Sequence, residues 1–241
     1  MRYAILSDIH GNLEALEAAL KALEDERIDK FLCAGDIVGY GADPGLCIKI
    51  TRQVCPEIVI GNHDAASAGA YDMNAFNDAA RSAIAWTKKK LTEHEASFLK
   101  KLEFVFSNEH LTMVHGTLQE SESFHYMFER NAAARTFSEM KTRVCFVGHT
   151  HVAGIFSEKE NRIRYLSKSK VKISKGEKLI VNAGSVGQPR DGDPRACFSV
   201  YDTDRGFVES KRMPYDVKRA QKKILEAGLP PFLAFRLEQG I

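Results

Sequence analysis

Three short apolar runs near the start of the chain, Arg2–Leu6, Lys30–Ala34 and Glu57–Ile60, each end on a small residue followed by a polar one: Ser7-Asp8, Gly35-Asp36 and Gly61-Asn62. Each run is short enough to be a strand, and the segments between them are helical in pattern. Leu13, Leu16, Leu20 and Leu23 recur at helical spacing through about Arg27, with Asn12 placed to cap. A second helix is expected after Asp43-Pro44, where aspartate caps and proline takes the first turn. Strand, helix, strand, helix, strand with short links predicts right-handed crossovers and a parallel sheet. The loops at the carboxyl ends of such a sheet share one side, where ligands bind. Asp8, Asp36 and Asn62 are therefore expected to meet.

From about Asp72 to Leu102 the pattern turns helical, with Phe76, Ala80, Ile84, Leu91, Phe98 and Leu102 marking two helices interrupted near Thr92. This stretch is either a small cap over the site or an ordinary packing hairpin. Further strands are expected at Leu111–Val114, Val144–Val147, Ile155–Ser157, Ile163–Leu166, Lys178–Val181, Cys197–Tyr201 and Val208–Arg212. The second half thus leans towards antiparallel β structure, followed by a helix from Tyr215 to Ala227. The basic run Lys168 to Lys178, with Val171 and Ile173 alternating, reads as a surface hairpin with a solvated charged edge. Residues 1–241 are expected to form a single domain.

Composition narrows the function classes. A formal net charge of +2 gives no global electrostatic case for nucleic acid. No apolar stretch approaches the roughly 18 residues of a membrane span, and no charged-then-apolar signal precedes the first strand. Cys33, Cys47, Cys55, Cys145 and Cys197 form no C-x-x-C pair, and three of them lie in apolar runs. They read as free thiols of a reducing compartment, so a cytoplasmic protein is expected. Pro230-Pro231-Phe232-Leu233 is a candidate for docking on a neighbouring copy, giving a homo-oligomer, or on the chain's own core.

Five polar groups follow one another along the chain: Asp8-Ile9-His10, Gly35-Asp36, Gly61-Asn62-His63-Asp64, His115-Gly116 and Gly148-His149-Thr150-His151. Asp8-x-His10 and His149-x-His151 would each put two ligands on the same side of an extended strand end. Imidazole beside carboxylate and amide oxygen suits first-row divalent ions, whereas calcium and magnesium prefer oxygen alone. No cysteine stands at any of these positions, which argues against a closed structural zinc site. Two adjacent ions need a bridging carboxylate, and Asp36 is the best placed. A water between ions roughly 3.5–4 Å apart becomes a strong nucleophile near neutral pH.

These motifs resemble the calcineurin-like metallophosphoesterases, and the resemblance runs from Met1 to about Arg212. Every element of the family pattern D-x-H, G-D, G-N-H-[DE], H-G and G-H-[ST]-H is intact here. The resemblance implies an α/β fold with a two-sheet β-sandwich flanked by helices in α-β-β-α layers. It implies one metal held by Asp8, His10, Asp36 and His151, and a second held by Asp36, Asn62, His115 and His149. The surroundings of these motifs, with Asn182-Ala183-Gly184-Ser185-Val186-Gly187-Gln188-Pro189-Arg190-Asp191, look like the compact bacterial and archaeal branch. That branch often has proline where Ala183 stands, a departure that leaves the ligands untouched.

The expected activity is hydrolysis of a phosphodiester or phosphomonoester, on a small or nucleotide-like substrate, by attack of metal-bound hydroxide. Manganese is the first choice of ion, with iron, zinc, nickel and cobalt also suited to these ligands. His63 is placed to protonate the leaving oxygen or stabilise charge there, and Asp64 to orient His63 and raise its basicity. Arg190 is read either as a phosphate contact or as an ion-pair partner of Asp191 or Asp193. Tyr40 is read as a substrate contact or a capping aromatic. His94, His110 and His125 fall outside the pattern and are assigned surface or packing roles. The competing class is a non-catalytic interaction module on the same scaffold, as in a retromer subunit of this fold. That class predicts eroded ligands, and none is eroded here.

Overall fold

The structure is a computed structural model and describes all residues, Met1–Ile241. In chain order its elements are β1 (Arg2–Leu6), α1 (Leu13–Leu23), β2 (Lys30–Cys33), α2 (Pro44–Val54), β3 (Glu57–Ile58), α3 (Asn62–Ser67), α4 (Asp78–Lys90) and α5 (Glu93–Lys100). Next come β4 (Val105–Ser107), β5 (Thr112–Val114), α6 (Arg130–Glu139), β6 (Val144–Val147), β7 (Gly154–Lys159), β8 (Arg162–Leu166) and β9 (Lys170–Lys172). The chain closes with β10 (Lys178–Asn182), β11 (Ala196–Asp202), β12 (Phe207–Met213), α7 (Val217–Glu226) and α8 (Pro231–Gln239).

Two six-stranded sheets result, with strand orders β3-β2-β1-β11-β12-β9 and β4-β5-β6-β10-β7-β8. β1, β2 and β3 run parallel, as the βαβαβ pattern predicts. The second sheet also has a parallel centre, because β6 pairs in parallel with both β5 and β10. This corrects the antiparallel reading of the second half, which holds for β7, β8, β11 and β12. The carboxyl ends of six parallel strands, three in each sheet, hand over to the loops that carry the polar motifs.

Side-chain alternation explains the layering. On β1, Tyr3 and Ile5 face the other sheet, while Ala4 and Leu6 pack under α1 and α2 with Leu16 and Ile48. On β6, Val144 and Phe146 enter the same inter-sheet core, while Cys145 and Val147 pack with Ala133 and Phe137 of α6. Two sheets flanked by helices are thus the fold the motif pattern implies, and all five cysteines are buried and free.

Local signals fared unevenly. Asn12 caps α1 by accepting from the Ala15 N–H at 3.1 Å. Thr92 and Glu95 form a capping box that breaks α4 from α5. Asp43 makes no cap bond to α2, and its carboxylate binds Lys223 of α7 at 2.7 Å instead. The Lys168–Lys178 run forms no hairpin of its own. β9 pairs with distant β12 as the edge of the first sheet, with Val171 turned inward and Lys170 and Lys172 in solvent. Pro231 opens α8, whose Leu233 and Leu237 pack on Ala80 and Tyr40, so this tail docks on its own chain.

Candidate metal centre

The two sheets are stitched together where their motif loops meet. The Asp8 N–H donates to Gly35 O and the His10 N–H to Asp36 O, each at 2.9 Å. Across the sandwich, the Val186 and Gly187 N–H groups donate to the carbonyls of Ser7 and Asp8, and the Ser185 hydroxyl donates to Asp8 O at 2.7 Å. The His149 N–H reaches both oxygens of the Asp8 carboxylate at 3.1 Å. A Cβ at Gly148 would collide with Ser7 Oγ and Asp8 Oδ2, so glycine is required for this approach.

The D-x-H and H-x-H pairs do not sit on extended backbone. Asp8, His10, Asp36, His149 and His151 all adopt the left-handed conformation, with φ between 51° and 66°. This corrects the strand-end alternation argument: the side chains converge because the backbone curls after each strand. Such residues are uncommon away from glycine, and each stores about 1–3 kcal/mol unless its type tolerates the region. Five at one place mark a site held by its surroundings.

More polar atoms converge there than there are protons to join them. His10 Nε2 and His151 Nε2 face each other at 3.0 Å. Asp8 Oδ1 lies 3.2 Å from His151 Nε2, and Asp36 Oδ2 lies 3.6 Å from His10 Nε2. The far nitrogens of these rings bind carbonyls, His10 Nδ1 to Val38 O at 3.1 Å and His151 Nδ1 to Gln188 O at 2.6 Å. That network assigns the ring protons to Nδ1, so two Nε2 lone pairs meet head-on. His115 is fixed the same way, with Nδ1 on Ala34 O at 2.7 Å and Nε2 3.2 Å from Asp36 Oδ2. Asp36 Oδ2, Asn62 Oδ1 and His115 Nε2 are buried atoms with no hydrogen-bond partner in the protein. Buried groups of this kind are costly unless a ligand meets them. Two donor sets suit a metal ion, Asp8, His10, Asp36 and His151 in one and Asp36, His115 and His149 in the other, with Asp36 common to both. The residues present therefore fit divalent metal.

The electrostatics agree. Burial pushes His10 and His149 well below the ordinary imidazole range, and His151 also falls. All three rings are thus neutral, as ligands must be. Burial alone would raise Asp8 and Asp36, but the surrounding histidines outweigh it and hold both carboxyls below the usual range. Burial would lower His115, yet Asp36 beside it raises it to about 9.

Beside the donors opens a cavity of about 350 Å³ lined by Asn62, His63, Tyr40, Phe76, Tyr126 and Arg190 among others. His63 Nδ1 is sealed and unpartnered against Gly39, and the ring packs among Tyr40 at 4.4 Å, His10 at 4.8 Å and Phe76 at 5.0 Å. Burial pushes it down to about 4. Asp64 makes no hydrogen bond to it. The Asp64 carboxylate instead accepts from the Val38 N–H at 3.1 Å and the Gly61 N–H at 3.2 Å, tying two motif loops together. Burial and nearby Asp36 raise its pKa to about 7. The orienting of His63 expected of Asp64 thus falls to aromatic packing. Arg190 forms no pair with Asp191 or Asp193, which bind Arg212 and Arg195. Its guanidinium donates to Tyr40 Oη at 3.2 Å and Gln188 Oε1 at 3.0 Å and faces the cavity.

The model of the calcineurin-like phosphoesterase superfamily domain matches residues 1–206. The chain belongs to that superfamily. It is 35% identical to an uncharacterised protein of Methanocaldococcus jannaschii, over 98% of this chain and 97% of that one. A metallophosphoesterase from Sphaerobacter thermophilus is similar over 100% of this chain and 99% of its own, with 37% identity and a TM-score of 0.87. A hypothetical protein from Pyrococcus horikoshii OT3 shares the fold at 20% identity, with a TM-score of 0.80 over 100% of this chain and 98% of its own.

In this member of the superfamily the motif residues converge, but several site residues lie outside the motifs. Ser185 and Gln188 support Asp8 and His151 from the loop after β10. Phe76, just before α4, brings the start of the 72–102 segment into the cavity wall. Tyr126 stacks on His149 with centroids 4.0 Å apart. Phe124 and Tyr126, aromatics at alternate positions soon after His115-Gly116, are a readable signal for that wall. His125 also borders the cavity, with its Nε2 on Glu120 at 3.0 Å, whereas His110 lies beside Tyr3.

Proposed function

We propose that this protein is a dinuclear metal-dependent phosphoester hydrolase acting on a small or nucleotide-like phosphodiester or phosphomonoester. The observation that carries this reading is the meeting of unpartnered Asp36 Oδ2, Asn62 Oδ1 and His115 Nε2 with the facing nitrogens of His10 and His151. Asp8, His10, Asp36 and His151 would hold one ion, and Asp36, Asn62, His115 and His149 the other, with manganese the first choice. Bound there, the ions would polarise phosphoryl oxygens and activate water as a nucleophile. Asp36 suits the shared position because the His63 N–H, at 2.9 Å, fixes its Oδ1 and leaves Oδ2 toward both donor sets.

The chain's other groups handle the substrate. Arg190 presents a planar donor to non-bridging oxygens from the cavity wall, and Tyr40 holds that guanidinium in place. With Nδ1 sealed, His63 exchanges protons only through Nε2, where it donates to the developing charge on the leaving oxygen. Asp64 keeps the Asp36 and Asn62 loops in register. No helix is long and apolar enough to cross a membrane, and five buried free thiols support a cytoplasmic setting.

The test is hydrolysis of bis-p-nitrophenyl phosphate and p-nitrophenyl phosphate by metal-stripped protein re-supplied with manganese. Turnover should require the metal, and Asn62→Ala should lower kcat/KM by on the order of 100-fold or more, since even groups that only orient ligands cost 10–100-fold. Turnover that survives chelation, or an unimpaired Asn62→Ala, would refute the assignment.

A further inference from the structure

We propose that Tyr126 and Phe128 form a stacking platform that binds the base of a nucleotide substrate next to the metal centre. The inference rests on the phosphoesterase reading of that centre and names its substrate class.

Tyr126 and Phe128 are 50% and 60% exposed, and their rings lie nearly parallel, with centroids 5.3 Å apart and planes 19° off. Tyr126 is also stacked on His149, at 4.0 Å and 15°. Three nearly parallel rings thus lead from the donor cluster to the surface. The segment that carries them is neither helix nor strand, yet it is pinned on both sides. Phe124 and Met127 are buried, and a Cβ at Gly116 would stand 2.7 Å from His125 O, so the segment lies directly over the end of β5. Anchors turned inward hold two rings turned outward. A contiguous, half-exposed aromatic pair beside a cavity marks a binding surface.

The platform also divides two cavities. Tyr126 lines the one of about 350 Å³ that holds His63 and Arg190. Phe128 lines a second, of about 260 Å³, walled by Met127, Val152, Phe156 and Tyr165 with Arg130 at its edge. His149 borders the first and Thr150 the second, so the two are one residue apart. The first chamber is polar and suits a phosphoryl group, and the second is apolar and suits a planar ring extending the stack at Phe128. A nucleoside phosphate has both parts in one molecule. Stacking tolerates any base, because every base presents a π-face, so the platform selects nucleotides as a class.

Calorimetry on the manganese-loaded protein tests this with the phosphonate analogues of AMP and of ribose 5-phosphate, in which a methylene replaces the ester oxygen. The AMP analogue is expected to bind about tenfold or more tightly, within the roughly 5- to 150-fold that base stacking supplies. In Phe128→Ala that ratio should fall to within about twofold of one, and Phe128→Trp should restore it. Equal affinities in the wild type, no binding of the AMP analogue, or an unchanged ratio in Phe128→Ala would overturn the platform. An intact ratio in a protein that hydrolyses no phosphoester would uphold the platform and overturn the hydrolase reading instead.

Discussion

His115 shows how single residues in this site are set against their own preferences. Burial disfavours its charge, yet Asp36, with its Oδ2 3.2 Å away, raises it to about 9. A folded pKa above the ordinary 6.5 means that the proton stabilises the metal-free protein fully below pH 6.5. That contribution is lost as pH rises through about 9. A metal at Nε2 must displace this proton. Manganese should therefore bind about tenfold more tightly per pH unit between pH 6.5 and 9, as read by titration of the metal-stripped protein at pH 7 and pH 8. An affinity independent of pH in that window would contradict a proton on His115 that the metal must displace. Identities of this kind were legible in the sequence, because Asp, Asn and His at loop starts leave few other readings. Their conformations were not. The left-handed backbone at Asp8, His10, Asp36, His149 and His151 depends on loops from the opposite sheet, which no local pattern records.

Among the elements, those with a strong local signal, β1, α1, β2, α2 and α4, stand where the sequence places them. Those that depend on partners were hidden. β9 is an edge strand only because β12, 35 residues on from Lys172 to Phe207, supplies its pairing. α6 buries mainly Ala132, Ala133 and Phe137, too slight an apolar stripe to announce a helix. α8 was visible only as a Pro-Pro-Phe-Leu segment, and its contribution is to packing around Tyr40. Leu233 of α8 is fully buried in the cluster that contains Tyr40, and the Gly192 N–H binds Gly240 O at 2.9 Å just beyond Arg190. Leu233→Ala should lower stability by about 2–5 kcal/mol. It should also raise KM more than it lowers kcat, because Tyr40 and Arg190 lose their backing while the donor cluster is untouched. Urea unfolding and steady-state kinetics would check both, and a fall in kcat alone would remove α8 from the account of substrate binding.

At the scale of the molecule, two mixed sheets bring the carboxyl ends of six parallel strands to one edge of the sandwich, where five left-handed residues and the unpartnered atoms of Asp36, Asn62 and His115 meet. The core between the sheets, through Tyr3, Ile5, Val144 and Phe146, fixes one half of the site against the other. Asp8, His10, Asp36 and Asn62 come from the first sheet, and His115, His149 and His151 from the second. A rigid sandwich is what lets seven side chains from two sheets hold one geometry. The most direct test of this account is anomalous X-ray scattering from crystals of the protein grown with manganese. The account predicts two peaks per chain on either side of Asp36, one among Asp8, His10 and His151 and the other among Asn62, His115 and His149. A single peak, or peaks away from Asp36, would contradict it.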